Sequence, residues 1–334
     1  MVKRKAPDLM YAENRFCAGC GHGIFDRILG EVLTELDIVS DTVICSDIGC
    51  NHQFQFCMRV DAIVPPHGKM GAALTAQKHV RPNKYALTIC GDGGAYAIGL
   101  GETMAAETRN ENVTFFVMNN TVYGMTGGQM APTTMDGQIT SSSKKGRDIA
   151  CSGESFDVFK AMKGLNIAYL ARTSVSNPIN VAKTKKMVRK ALEKQKDHKG
   201  FSLLEVLVPC PNNWGMTPPN SMKYIDDVVS KYYEMGELID RYWREVMIKS
   251  IVCAGLVGQG VLTMGKLLMY AAYEKDLHVT WFPSYGNEMM GGNANCKLFT
   301  LEEFEAAMSN YFDSQGKGKY NESNKRAIEA GYNA

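Results

Sequence analysis

The segment Tyr85-Ala86-Leu87-Thr88-Ile89-Cys90-Gly91-Asp92-Gly93-Gly94 decides the fold. Its first six residues form a short apolar run that reads as a buried strand, and the run ends in glycines around a single carboxylate. Val113–Met118 (VTFFVM) is a second such run and ends at Asn119-Asn120. Ile98–Thr108, between them, carries a helical pattern. A strand, a helix and a second apolar strand form the repeating unit of a parallel sheet covered by helices on both faces.

Working outward, Thr42–Cys45, Ala168–Ala171 and Phe201–Val206 read as further buried strands. Ile24–Leu36, Ala72–His79, Phe156–Met162 and Val181–Gln195 read as helices. The expected fold is α/β, a doubly wound parallel sheet. Ligands on such sheets sit at the carboxyl ends of the strands. Ser46–Asn51, Gly91–Gly94 and Asn119–Gly128 each follow a strand, which points to one shared site. Gly127–Gly146 is a long loop rich in Gly, Thr and Ser, and loops of that length are usually functional or disordered.

The 334 residues give room for one large α/β domain and something smaller. A net charge of +2 implies no polyelectrolyte partner, so nucleic acid is not expected. Lys183, Lys185, Lys186, Arg189 and Lys190 fall at helical spacing and read as a solvated face. Met1–Met10 lacks the apolar core of a leader, and no stretch approaches the roughly 20 apolar residues of a membrane span. A cytoplasmic location is expected. There, the 10 cysteines argue against a disulfide scaffold.

Two constellations carry chemistry. Asp92, Asn120 and a backbone carbonyl just beyond would give a hard cation such as Mg²⁺ its oxygen ligands. The glycines around Asp92 would let a diphosphate approach the backbone. Taken alone, G-D-G-G is equally a plain strand-to-helix turn; Asn119-Asn120 at the end of the next strand favours the metal. Cys17 and Cys20 set two thiols on one tight turn. Zinc, an iron–sulfur cluster and a redox pair all accept such a motif.

GDG followed by NN resembles the thiamine-diphosphate fingerprint. NNTVYGMTGGQMAPTT (Asn119–Thr134) is similar to the β subunits of 2-oxoacid:ferredoxin oxidoreductases, and the resemblance covers about Asn14–Met222. It implies bound thiamine diphosphate, with Mg²⁺ held by Asp92, Asn120 and the carbonyl of Val122. Tyr123, Gly124, Met125 and Thr126 would wrap the diphosphate. Asp47, Ile48, Gly49, His67, Gly68, Gly91, Gly93 and Gly94 would complete the cofactor site. Many relatives carry an aspartate at the position of Gly94.

Cys17–Gly23 resembles the family's C-P-G-C-G-H motif, with Ala18 in place of proline. Cys50 in S-D-I-G-C and Cys210 in C-P complete the set, so Cys17, Cys20, Cys50 and Cys210 would hold one [4Fe–4S] cluster. Cys45 is expected to be buried on its strand; Cys57, Cys90 and Cys151 are expected to pack in the core. Pro65–Lys69 is similar to the family's H-G-R/K segment, which makes His67 and Lys69 candidate catalytic residues. Gln53 stands where some relatives carry a substrate-recognising lysine. Tyr96–Gly101 and Gln129–Thr134 are most similar to branched-chain and 2-oxoglutarate members.

The resemblance implies oxidative decarboxylation of a 2-oxoacid with coenzyme A, and electrons leaving one at a time through the cluster to ferredoxin. The glutamate that activates thiamine would come from a separate α subunit; Glu102 and Glu107 qualify here by residue type only. Two rivals share part of the pattern. A non-oxidative thiamine decarboxylase or carboligase needs no cysteine quartet, and a zinc-stapled assembly module needs no thiamine site.

A boundary is expected near Cys210–Asn220. The expected organisation is a cofactor domain over 1–222, a helical linker over 223–246 and a small α/β unit over 247–334. The last unit begins with a strand, a turn at Gly255, Gly258 and Gly260, and a helix over Val261–Tyr273. Ser250–Gly265 and Val279–Cys296 resemble the opening of the γ subunit of the same enzymes, with Val257, Asn287 and Met290 departing from its usual residues. Leu301–Ala334 reads like that subunit's C-terminus, so the middle is missing. A docking remnant is expected, and a complete γ subunit is a further candidate partner.

Overall fold

The structure is a computed structural model that describes residues 6–241, 250–255, 261–274, 281–285 and 290–295, together with 309, 313, 316, 322, 325 and 326. The chain separates into two compact units, Met1–Trp243 and Arg244–Ala334.

The first unit is built on β1 (Thr42–Ser46), β2 (Asp61–Ile63), β3 (Tyr85–Gly91), β4 (Thr114–Asn119), the short hairpin β5 (Val122–Tyr123) and β6 (Gln129–Met130), then β7 (Tyr169–Ser174), β8 (Ser202–Leu207) and β9 (Gly236–Asp240). The main sheet runs β2-β1-β3-β4-β8-β7-β9, parallel throughout except for the antiparallel edge strand β9. The helices are α1 (His22–Glu35), α2 (Met70–Val80), α3 (Leu100–Thr108), α4 (Ile149–Ser152), α5 (Val158–Met162), α6 (Pro178–Lys196) and α7 (Pro211–Trp214).

Alternation along β4 shows why these strands are apolar throughout. Phe116 and Met118 pack with the core that includes Phe25 of α1 and Val188 of α6. Phe115 and Val117 pack with Leu74 of α2, Ala106 of α3 and Phe159 of α5. Side chains alternate between faces, so a strand covered on both sides must be apolar at every position. In α6, Thr184, Val188, Ala191, Leu192 and Gln195 form the buried stripe. Asn177 caps its start by accepting from the Asn180 N–H at 2.9 Å, and Pro178 occupies the first turn.

The segment expected as a helical linker over 223–246 is different. Helical turns end at Tyr232, and β9 then joins the main sheet against β7. Tyr169 Oη donates to Glu237 at 2.7 Å, and Lys190 donates to Glu237 and Asp240 at 2.8 and 3.0 Å. The basic face of α6 thus helps to hold an edge strand.

Glu107, in the last turn of α3, is buried, and neither carboxylate oxygen meets a hydrogen-bond partner. Burial pushes its pKa up to about 9. The folded state therefore takes up a proton that the unfolded state releases near pH 4.5, and stability is lost as pH rises through this window. Glu107→Gln is expected to flatten the loss by up to about 1.4 kcal/mol per pH unit. Urea unfolding at pH 5 and pH 8 measures this; identical slopes in variant and parent would contradict it.

In the second unit, Ser250–Gly255 and Trp281–Tyr285 both pair antiparallel with Met290–Asn295, beside the helix Val261–Glu274. Leu267, Leu268 and Ala271 form the helix's buried stripe. The glycine turn at Gly258 and Gly260 lies outside the described residues, as do Val257, Asn287 and most of Leu301–Ala334.

Candidate functional site

The carboxyl ends of β1, β3 and β4 open into one cleft of about 120 Å³. Ile48, Gly49, His67, Gly91, Asp92, Gly93, Gly94, Asn120, Val122, Tyr123, Gly124, Met125 and Thr126 line it, joined by His22, Cys50, Asn51 and Met118. Asp47 and Gly68, also expected there, stand behind the lining. Asp47 Oδ1 accepts from the Gly68 N–H at 2.9 Å and meets His67 Nδ1 at 3.0 Å. It thereby fixes the turn that carries His67. Lys69 does not reach the cleft, because its ammonium donates to Glu102 at the surface. Asn51 ties two strand ends together, donating to the carbonyls of Asp47 and Ile89 at 3.0 and 2.8 Å.

Two glycines of the G-D-G-G turn are there for close approach. A Cβ on Gly93 would lie 2.1 Å from the Tyr123 ring, and one on Gly94 would lie 1.7 Å from Asp47 Oδ2. Any side chain at Gly94 would collide with the Asp47 carboxylate. Asp92 is buried and accepts from the Thr133 hydroxyl. Burial pushes its pKa up to about 7, opposed by the hydrogen bonds from Thr133 and the Gly93 backbone.

At the end of β4, Asn119 Oδ1 accepts from the Thr121 N–H at 3.0 Å and Asn120 Oδ1 accepts from the Val122 N–H at 3.2 Å. Thr121 adopts φ +61°, a left-handed conformation unfavourable for a β-branched residue. These two asparagine turns hold the strained reversal. A carboxylate, an amide oxygen and a backbone carbonyl are the hard donors that Mg²⁺ selects. With glycine backbone beside them, the residues fit a metal–diphosphate group.

The loop over 127–156 is gathered around Arg147, which sequence reasoning missed. Its guanidinium donates to six carbonyls, those of Ala131, Pro132, Thr134, Ser152, Gly153 and Glu154, at 2.8–3.2 Å. Arg147→Leu is expected to destabilise the chain by about 3 kcal/mol, since it strips a charged donor from several buried acceptors. Limited proteolysis should then cut within 127–156 first. An unchanged cleavage pattern would contradict this role.

The four candidate cysteines come from three separate segments. Gly19 and Gly21 let the Cys17–Cys20 turn press onto the 208–218 segment: a Cβ on Gly21 would lie 2.6 Å from Pro209, and one on Gly19 2.4 Å from Pro218. Asn212 Nδ2 donates to Cys17 Sγ at 3.1 Å and Asn213 Nδ2 to Cys210 Sγ at 3.3 Å. Burial pushes the Cys20 thiol up to about 12 and the Cys50 thiol to about 11, and neighbouring thiols add to both shifts. His22 Nδ1 lies 3.3 Å from Cys20 Sγ, and burial lowers its pKa to about 4.

Among the described residues, no three His, Cys, Asp or Glu side chains converge tightly enough to hold one metal ion. Cys20 and Cys50 each feel the charge of Cys17 and Cys210, so the fold brings the four thiols near one another. Of the other cysteines, Cys45, Cys57 and Cys90 are buried, whereas Cys151 is exposed on α4 rather than packed in the core.

Two family models match the chain. Residues 47–206 match the family described as thiamine pyrophosphate enzyme, C-terminal TPP binding domain, and residues 250–300 match pyruvate ferredoxin/flavodoxin oxidoreductase. The first unit is thus a thiamine-diphosphate-binding domain. The ketoisovalerate oxidoreductase subunit VorA of Methanothermobacter marburgensis is 33% identical over 84% of this chain. The chain spans 66% of that relative's length. The 2-oxoglutarate synthase subunits KorB of Methanocaldococcus jannaschii and Archaeoglobus fulgidus are 32% and 31% identical over 60% and 64% of this chain, and 70% and 75% of their own lengths are covered.

A solved 2-oxoglutarate:ferredoxin oxidoreductase from Magnetococcus marinus shares the fold, with TM-score 0.58 at 20% identity over 73% of this chain and 87% of its own. The chain belongs to the 2-oxoacid:ferredoxin oxidoreductase family, whose members named here are subunits of larger enzymes. No helix among the described residues is long and apolar enough to cross a membrane.

Proposed function

We propose that the chain is the thiamine-diphosphate and iron–sulfur subunit of an enzyme that oxidises a 2-oxoacid to its acyl-CoA and CO₂, with ferredoxin as acceptor. The observation that carries this reading is the contiguity of the two sites. Cys50 belongs to the cysteine quartet and also lines the cleft, where a Cβ on Gly124 would lie 3.4 Å from its sulfur. A non-oxidative thiamine enzyme has no use for that contact.

Asp92, Asn120 and the Val122 carbonyl would hold Mg²⁺. The backbone of Gly93, Gly94 and Tyr123–Thr126 would cradle the diphosphate. Asp47 holds His67 at the cleft wall, where its ring can orient the substrate carboxylate. Cys17, Cys20, Cys50 and Cys210 would hold one [4Fe–4S] cluster, with Asn212 and Asn213 donating to their sulfurs. Bound thiamine diphosphate supplies the carbon nucleophile and temporary electron store that 2-oxoacid decarboxylation requires; the cluster supplies the one-electron exit.

Glu102 pairs with Lys69 and Glu107 is buried away from the cleft lining, so neither is placed to polarise the cofactor. That carboxylate would come from a separate α subunit. The length of each match ranks the candidate substrates. The VorA match covers 84% of 334 residues, about 281, which exceeds the 243 of the first unit, so it must reach into the second. The KorB matches cover 60–64% of the chain. A branched-chain 2-oxoacid is therefore the first substrate to test and 2-oxoglutarate the second. Under anaerobic conditions, chain and α subunit together should reduce a viologen with 2-oxoisovalerate and coenzyme A, and the chain alone should not. Robust turnover by the isolated chain would contradict the division of labour.

A further inference from the structure

A buried ion-pair hub lies outside the cleft lining. Arg172 of β7 is fully buried between Phe159 and Tyr233, whose ring centroids lie 4.3 and 4.8 Å from its guanidinium carbon. It donates to Glu205, to Asp157 at 2.7 Å and to the Glu234 carbonyl at 2.8 Å.

Two branches leave this hub. In the first, Glu205 Oε1 accepts from Asn119 Nδ2 at 3.2 Å, and Asn119 in turn holds Thr121 in the reversal that presents Asn120 and Val122. In the second, Tyr233 Oη donates to the Thr133 carbonyl at 2.6 Å, and the Thr133 hydroxyl donates to Asp92. Thr134 Oγ1 closes the circuit by donating to the Thr121 carbonyl at 2.6 Å. Each segment that carries a candidate metal ligand is thus tied to the hub.

We infer that Thr133 and Glu205 are positioning residues for the metal: Thr133 aims the Asp92 carboxylate, and Glu205, anchored by Arg172, fixes the turn bearing Asn120 and Val122. The inference rests on the metal–diphosphate site proposed above. A hydroxyl that donates to one carboxylate oxygen leaves the other to face the cleft. Without it only the backbone hydrogen bond at Gly93 steadies the carboxylate, and a cation that demands near-ideal octahedral geometry loses most from the added freedom.

The test is calorimetric titration of Mg²⁺ into the anaerobic full chain at saturating thiamine diphosphate, with melting temperature recorded in parallel. Thr133→Val should raise the Mg²⁺ dissociation constant about tenfold, the weight of one charge-assisted hydrogen bond. Thr133→Ser, which keeps the hydroxyl, should stay within about twofold, and Glu205→Gln should fall between. A structural role alone would lower the melting temperature of Thr133→Val and leave the Mg²⁺ constant unchanged, which would overturn the inference. So would a serine variant as weak as the valine. If Thr133→Val does not fold, Tyr233→Phe removes only the hydroxyl that fixes Thr133. It should weaken Mg²⁺ about threefold, and parental affinity there would overturn the inference equally. A parent chain that binds no Mg²⁺ with thiamine diphosphate overturns the metal site itself, a failure visible before any variant is compared.

Discussion

Replacing Asp92 with alanine is expected to abolish Mg²⁺-dependent thiamine diphosphate binding. Among the described residues that line the cleft, Asp92 is the only carboxylate, and it is buried at the carboxyl end of β3. Removing one partner of a buried, hydrogen-bonded charge pair costs about 3 kcal/mol or more, a factor of at least about a hundred in affinity. The change also strands the Thr133 hydroxyl, whose acceptor is Asp92. Calorimetry with and without Mg²⁺, on a variant whose melting temperature shows it folded, reads the effect. Unchanged affinity would mean that G-D-G-G is a structural turn here.

The second large effect is expected at Cys210. Anaerobically purified chain should be brown and carry about four irons, one for each cysteine of a Cys₄ site. Cys210→Ala should lose most of that iron. Cys210 precedes α7, and its sulfur accepts from Asn213, so the variant removes a proposed ligand at the point where the 208–218 segment meets the Cys17–Cys20 turn. Cys151→Ala is the control, since its thiol is exposed on α4 and belongs to none of the three cysteine segments. Zinc in place of iron in the parent, or iron retained by Cys210→Ala, would contradict the assignment.

The central strands and both flanking helix layers were legible because a strand covered on two faces leaves an unbroken apolar run. The three strand-end clusters were legible because a metal and a diphosphate need carboxylate, amide and glycine at those ends. β9 was missed because its alternation is short and its pairing depends on Tyr169, Lys190 and distant parts of β7 and α6. Lys69 was expected beside His67 on the resemblance to the H-G-R/K segment; the surface carboxylate of Glu102 draws its side chain away.

Arg147 was missed because it acts on carbonyls, which leave no mark in side-chain patterns. The buried hub did leave a signal. Arg172 and Glu205 are the only formal charges in YLARTS and SLLEVL, two wholly buried strands, and they face one another in register. Opposite charges at matched positions of two apolar runs could have been read as a buried pair.

The most direct measurement follows the cluster while substrate is added to the chain and its α subunit under anaerobic conditions. A 2-oxoacid with coenzyme A should bleach the cluster's visible absorbance and give the electron paramagnetic resonance signal of a reduced [4Fe–4S] centre, in step with CO₂ release. CO₂ release from a cluster that stays oxidised would show that the thiamine site works without the cysteines, and the proposed function would be wrong.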